Sequence, residues 1–244
     1  MRSIRIYTPQ ALNAGDDCVL DAAPSHHLAT VLRARADQSI ELFNGDGNTY
    51  TARITAISKK AVTVIVENST PADNESPLHI ELGIGISKGD RFDFVLQKST
   101  ELGVTAITPL ITERTEVRLD AERAEKKIEH WRQVVISACE QSGRNVVPVI
   151  SDIAKFSDWT SNCDADRKFV LHHRADASPS GATRPPRVAL LIGPEGGLST
   201  DEIAAAEQCG FAPWRLGPRI LRTETAPLAA ITALQWLWGD LADR

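Results

Sequence analysis

The four cysteines of this 244-residue chain, Cys18, Cys139, Cys163 and Cys209, are scattered, with no C-x-x-C spacing among them. Zinc ribbons and dithiol redox motifs are therefore unsupported, and unpaired thiols suit a reducing cytoplasm. No apolar run approaches the roughly 18 residues that a membrane span needs, and the opening MRSIRIY lacks a signal-peptide core. No basic block exists either. Net charge is −5, residues 1–70 carry seven basic and seven acidic side chains, 85–150 carry ten of each, and 151–244 carry ten against twelve. That balance argues against a general nucleic-acid coat, so any RNA contact must come from cations gathered in space. Repeats, heptads and low-complexity tracts are also missing. A Rossmann-type site would show a glycine-rich turn after the first strand and an acid about 20 residues on, and neither occurs. The pair His172-His173 has no cysteine or acidic partner at ligand spacing, so no metal is expected.

What is present is ordinary for a globular chain: 42% hydrophobic and 24% charged residues, with length for one large or two small domains. Residues 1–70 read as mostly β. Alternation in SIELFNGDGNTYTARITAI breaks at Asn44-Gly45-Asp46-Gly47, a hairpin signal. The valine-rich 59–68 adds a strand, and 26–38 reads as a helix with Leu28, Val31 and Leu32 on one face and Arg33 and Arg35 beyond. The stretch TPADNESP (70–77) is the best linker. After it a strand (78–86), a helix (87–104) and a strand (105–112) set a βαβ rhythm, which implies a parallel sheet with right-handed crossovers. A long helix (121–141) runs to Gly143, followed by a strand over 146–150, a short helix near 157–162 and a strand over 167–173.

The chain is organised around its last quarter. VALLIGPEGGLS (188–199) reads as a buried strand breaking at Gly193-Pro194 into a glycine turn. Ser199 with Glu202 forms a capping box for a helix that Gly210 stops. A short strand near 214–216 follows, then a polar loop from 217 to 225, then a final helix. Thr225 and Pro227 suit its start, and Leu228, Ile231, Leu234 and Trp238 fall on one stripe. Two strand-to-helix loops thus lie one αβ unit apart, where open α/β folds bind ligands. Taken singly, Gly-Pro-x-Gly-Gly is turn chemistry; the density of Arg222, Thr223, Glu224 and Thr225 exceeds what a turn requires.

The forms IGPEGG and LGPRILRTETA resemble the cofactor loops of the SPOUT methyltransferases, in particular the small-subunit ribosomal RNA methyltransferases that modify N3 of a uridine. SKGDR (87–91), QKSTELGV (97–104) and EQSGR (140–144) are similar to the same family, so the resemblance spans essentially the whole chain. It implies an α/β fold: a C-terminal SPOUT domain (78–244) with a parallel sheet and a trefoil knot, behind a linker (71–77) and an N-terminal PUA-like β-barrel that binds RNA (1–70). It implies S-adenosyl-L-methionine (SAM) as cofactor, 16S ribosomal RNA in the small subunit as partner, with uridine 1498 the family's target, and a homodimer.

On this resemblance the cofactor would be held by Leu171 and His172, by Ile192, Gly193, Pro194, Glu195, Gly196 and Gly197, and by Leu216, Gly217, Ile220, Leu221, Thr225 and Ala226. Glycines 193, 196, 197 and 217 would let backbone groups approach adenine and ribose, where a Cβ would clash. RNA would meet Arg2, Arg5, Arg33, Arg35, Lys88, Arg91, Lys98, Arg144 and Arg219. The plain alternative makes Arg33 and Arg35 a solvated face and Arg91, Lys98 and Arg144 exposed charges. Uracil N3 is a good nucleophile only as its proton leaves, so Arg222 is the candidate to stabilise the growing anion and Glu224 to take the proton. The alternative makes Glu224 a first-turn helix acid and Arg222 its ion-pair partner. The function alternatives are a different RNA acceptor, such as a ribose 2′-OH, and a ribosome-binding module without turnover.

Overall fold

The computed structural model of the protein describes residues 3–58, 60–117, 119–172, 175, 179 and 183–242. They form two compact units, one running to Glu75 and taking in Cys139–Val147, the other Ser76–Ala138 and everything from Pro148.

The first unit is built on a five-stranded sheet. Its elements are β1 (Arg5–Tyr7), β2 (Asp17–Val19), α1 (Ala22–His26), a π-helical turn (His27–Val31), β3 (Ser39–Phe43), β4 (Asn48–Ile57) and β5 (Val62–Pro71), in sheet order β1-β3-β4-β5-β2. Period-two alternation sets the register. Val62, Val64 and Val66 of β5 and Ala52 and Ile54 of β4 are fully buried, packed with Leu28, Ile40 and Leu42. The β3–β4 hairpin turns where the Asn-Gly-Asp-Gly stretch predicts.

The helix expected over 26–38 stops at Val31. Ala34 N–H donates to Leu28 O at 2.9 Å across Arg33, which sits at φ 50°. This seven-to-one closure ends the π-helical turn, with an arginine in the left-handed position that glycine usually takes.

Chain 139–147, which sequence pattern assigns to the catalytic half, is clasped within the first unit. Glu75 Oε2 accepts from Arg144 Nε at 3.0 Å and Nη2 at 2.7 Å, and its Oε1 accepts from the N–H groups of Asn145 and Val146, both at 3.1 Å. Arg5 Nη1 donates to Glu41 at 3.0 Å, Nη2 donates to Gly143 O at 3.0 Å, and the guanidinium lies over Phe43.

The second unit carries β6 (His79–Gly85), α2 (Asp90–Glu101), β7 (Ala106–Ile111), α3 (Ala121–Ser142, its end from Cys139 counted above), β8 (Val149–Ile150), β9 (Ala154–Lys155), α4 (Phe156–Asn162), β10 (Arg167–Leu171), β11 (Arg187–Ile192), α5 (Thr200–Gln208), β12 (Ala212–Trp214) and α6 (Thr225–Trp238). All its strand pairings are parallel, in order β12-β10-β11-β6-β7-β8, with β9 also on β7. Central strands of such a sheet are covered on both faces. Accordingly Val188 to Leu191 of β11, and Ile80, Leu82 and Ile84 of β6, are fully buried.

Three expectations shift. β8 starts at Val149 rather than at 146, because the Val146 N–H is taken by Glu75. β12 ends at Trp214, two residues before the expected end, so Arg215 and Leu216 belong to the loop. In α6 the buried stripe is Pro227, Ala230, Ile231, Leu234, Gln235 and Trp238; Leu228 instead shares the outer face with Ala229, Thr232 and Trp236. Gln235 is fully buried: its Oε1 accepts from Ser76 Oγ at 2.6 Å and its Nε2 donates to Leu102 O at 3.0 Å. Among the described residues no helix is long and apolar enough to cross a membrane.

Candidate cofactor and active site

A cavity of about 560 Å³ opens at the carboxyl ends of β10, β11 and β12, a volume in the range of small-molecule sites. The loops after these strands form it. Leu171, Ile192 and Trp214 end the three strands, and His172, residues 193–198 and residues from Arg215 to Glu224 follow them.

The turn after β11 is held from several sides. A Cβ on Gly193 would come within 2.7 Å of Gly197 C and Leu198 N, so the glycine lets the turn fold back on itself. Gly197, at φ 68°, donates its N–H to Pro194 O at 2.8 Å. Ser199 then caps α5: its Oγ accepts from Glu202 N–H at 3.2 Å, and Glu202 Oε2 accepts from Ser199 N–H at 2.9 Å. Close approach thus has a cause inside the protein as well as the expected one of admitting a ligand.

Thr223 bolts the second loop to the first. It is 9% exposed, and its Oγ1 donates to Gly193 O at 3.0 Å. Immediately beyond, Arg222 O accepts from Thr225 N–H at 2.9 Å and Ala226 N–H at 3.0 Å, starting α6. These bonds fix the backbone on either side of Arg222 and Glu224 and leave their side chains lining the cavity. No ion pair joins the two among the described residues, and Glu224 occupies the N-cap of α6 without a side-chain capping bond.

Of the expected cofactor residues, the cavity gathers Leu171, His172, Ile192, Gly193, Pro194, Glu195, Gly196, Gly197, Leu216, Ile220, Leu221 and Ala226. Gly217 and Thr225 do not line it; Gly217, at φ 71°, serves the loop's turn, and Thr225 opens α6 beside the outer apolar face. Glu195 turns its carboxylate toward the loop after β6, accepting from Lys88 N–H at 2.9 Å and from Arg91 Nη1 at 3.4 Å. The remaining walls are Arg91, Arg114, Leu198, Ile203, Trp214, Arg215, Arg219 and Thr223. Among the described residues five arginines and two glutamates line the cavity, Arg91 and Glu195 being engaged with each other.

The RNA candidates separate. Arg219 lines the cavity, and Arg33 and Arg35 are exposed on the first unit. Lys88 pairs with Glu116, Arg91 with Glu195 and Lys98 with Glu101 on partly exposed surface, where ion pairs are weak and exchangeable. Arg144 and Arg5 are different, with side chains only 6% and 13% exposed and held by internal acceptors, Arg5 through its two Nη atoms. They are struts of the first unit, because withdrawing either guanidinium toward RNA would strand its carboxylate partner. Arg2, and His173 beside His172, lie outside the described residues.

Burial pushes the Cys139 thiol up to about 12 and raises Cys163 as well, so neither supplies a thiolate. No group of three or more metal-ligating side chains is present among the described residues. Sequence reasoning passed over Thr223's tie to Gly193 and the cavity wall supplied by Arg114. The position of Arg114 just past a parallel strand's carboxyl end was the one signal available for it.

Residues 74–235 match the family model described as an RNA methyltransferase domain, and residues 20–67 match that of an RNA methyltransferase PUA domain. The ribosomal RNA small subunit methyltransferase E of Buchnera aphidicola (from Acyrthosiphon pisum) is 38% identical over 97% of this chain and 94% of its own length. Its Bacillus subtilis counterpart is 33% identical over 86% of each. Among solved structures, the Neisseria gonorrhoeae enzyme of that name, bound to SAM, is 42% identical with a TM-score of 0.92, covering 99% of this chain and all of that one. A Legionella pneumophila protein solved with bound SAM is also 42% identical, with a TM-score of 0.94 over 99% of this chain and 100% of that one.

Proposed function

The chain belongs to the ribosomal RNA small subunit methyltransferase E family, a SAM-dependent RNA methyltransferase family, and from that premise we propose that it methylates N3 of one uridine, uridine 1498 in the family, in 16S ribosomal RNA. The observation that carries the proposal is the placement of Arg222 and Glu224. Both line the cavity on a loop fixed by Thr223 and by the start of α6, with no ion pair between them among the described residues.

The cavity fits SAM. Leu171, Ile192, Leu198, Leu216 and Leu221 offer apolar walls for adenine, and the backbone of the glycine turn offers polar groups at its edge. The cofactor supplies a methyl group activated by a sulfonium, so the protein's task is orientation and charge. Glu224 accepts the N3 proton as the N–C bond forms, and Arg222 donates to a uracil carbonyl oxygen on which negative charge grows. Because N3 lies on the Watson–Crick edge, the uridine must be unpaired or flipped out of its stack. Arg33 and Arg35 on the PUA-like unit, and Arg219 at the cavity, contact the surrounding RNA. The chain works as a homodimer through the outer face of α6, where Trp236 is 62% and Leu237 46% exposed, and the loops around the cavity form the family's trefoil knot.

The test is to incubate the protein with SAM and small subunits from a strain lacking it, then digest the RNA to nucleosides for mass spectrometry. 3-Methyluridine is the expected product. A ribose 2′-O-methyl nucleoside, or no product despite SAM binding, would overturn the assignment.

A further inference from the structure

The loop after β7 is a built turn. Thr115 N–H donates to Thr112 O at 3.1 Å, and Thr112 N–H donates to Thr115 Oγ1 at 3.0 Å. It is also anchored from outside: Glu113 N–H donates to Glu202 Oε1 at 2.8 Å, the carboxylate whose other oxygen closes the α5 capping box. Between these fixings Arg114 runs along the glycine turn, and its Nη1 donates to Gly196 O at 2.8 Å. The packing is close, since a Cβ on Gly196 would lie 3.1 Å from Arg114 Cβ and 3.4 Å from its Cδ.

The Gly196 carbonyl and the Gly197 N–H belong to one planar peptide. That N–H already closes the turn on Pro194 O. A charge-assisted bond from Arg114 to the opposite edge of the plane therefore locks its rotation.

We propose that Arg114 is a positioning residue for cofactor binding, holding the Gly196–Gly197 peptide so that the turn meets SAM preformed. The inference rests on the reading that this turn holds the cofactor. Without Arg114 the peptide would be ordered only on binding, at the expense of affinity. The acceptor chemistry lies elsewhere, on Arg222 and Glu224, so the effect belongs to cofactor binding and not to the rate at saturation. A lysine supplies one donor for the carbonyl but not the planar fork, so it should restore part of the loss.

Full-length Arg114→Ala and Arg114→Lys proteins, titrated with SAM by calorimetry and assayed on small subunits, test this. Arg114→Ala should raise the SAM dissociation constant and KM by at least about tenfold, with kcat at saturating SAM within about threefold, and Arg114→Lys should fall between it and the parent. A folded Arg114→Ala protein with unchanged SAM affinity would overturn the proposal, as would a loss confined to kcat. Gly196→Val, expected to weaken SAM at least about tenfold, separates the two layers. If Gly196→Val impairs SAM binding and Arg114→Ala does not, only the role of Arg114 falls. If neither does, the cofactor reading of the turn falls with it.

Discussion

Arg144 and Arg222 stand in two short polar connectors, one leaving a helix for a strand and the other leaving a strand for a helix. Around Arg144 the charges find partners inside the protein: Glu75 takes its guanidinium, Arg5 takes Glu41, and Glu140 accepts from Tyr7 N–H. Around Arg222, the side chains of Arg215, Arg219 and Glu224 form no ion pairs among the described residues and line a cavity instead. Taking a charge out of water is costly unless a partner restores the interaction. The first connector meets that cost within the fold. The second leaves Arg215, Arg219 and Arg222 exposed to water, which is how this cavity wall differs from a strut of similar composition.

The sharpest way to break this contrast is at Glu224. Glu224→Gln should lower single-turnover methylation on the order of 10²–10⁴-fold if the carboxylate takes the proton, with partial recovery at high pH as uracil ionises unaided. Arg222→Ala should lower kcat much more than it raises the SAM dissociation constant, and Arg222→Lys should not fully restore it. Neither should move the melting temperature. A Glu224→Gln enzyme within about threefold of the parent across the pH series would make this connector structural too.

Arg144→Ala should do the reverse. Removing one partner of a largely buried pair costs about 3 kcal/mol of stability, read as a lower urea midpoint, while the SAM dissociation constant of the folded protein stays unchanged. Weaker RNA binding without loss of stability would place Arg144 with the site instead.

The smallest effect sharpens the comparison through pH. Burial pushes the Glu140 carboxyl above its usual range, against the opposing Tyr7 N–H and the charges of His27 and Arg5. Because the folded value is raised, the folded state holds the proton more tightly. The carboxyl's contribution is complete below the ordinary carboxylate range and is lost as pH rises through the folded value. Glu140→Gln keeps an acceptor for Tyr7 and removes the charge, so stability should fall less steeply with pH over that window. An unchanged slope in denaturation across a pH series would show that Glu140 carries no such burden.

Much of the site was legible because its signals are local. The strand at 188–192, the glycine turn and the Ser199–Glu202 box occupy consecutive positions, and period and capping chemistry read directly from them. Arg144 and Arg5 looked like surface cations because their partners, Glu75 and Glu41, are far away in sequence. The Thr223–Gly193 and Arg114–Gly196 bonds escaped for the same reason: each joins loops on different strands. Leu228 was misplaced because spacing of three and four residues fits either face of α6, and only packing chooses. The cap at Arg33 was unreadable because that position ordinarily announces itself with glycine.

The pairing of β6 with β11 also bears on how the protein is made. A strand begun at residue 79 waits for its central neighbour until residue 187 has been synthesised, and Gln235 must then reach back to Ser76 and Leu102. Such non-local pairing folds slowly and leaves apolar edges uncovered meanwhile. The cavity is therefore completed only after residue 226 has been synthesised, and until β11 arrives β6, buried at Ile80, Leu82 and Ile84 in the fold, leaves an apolar edge open to a chaperone.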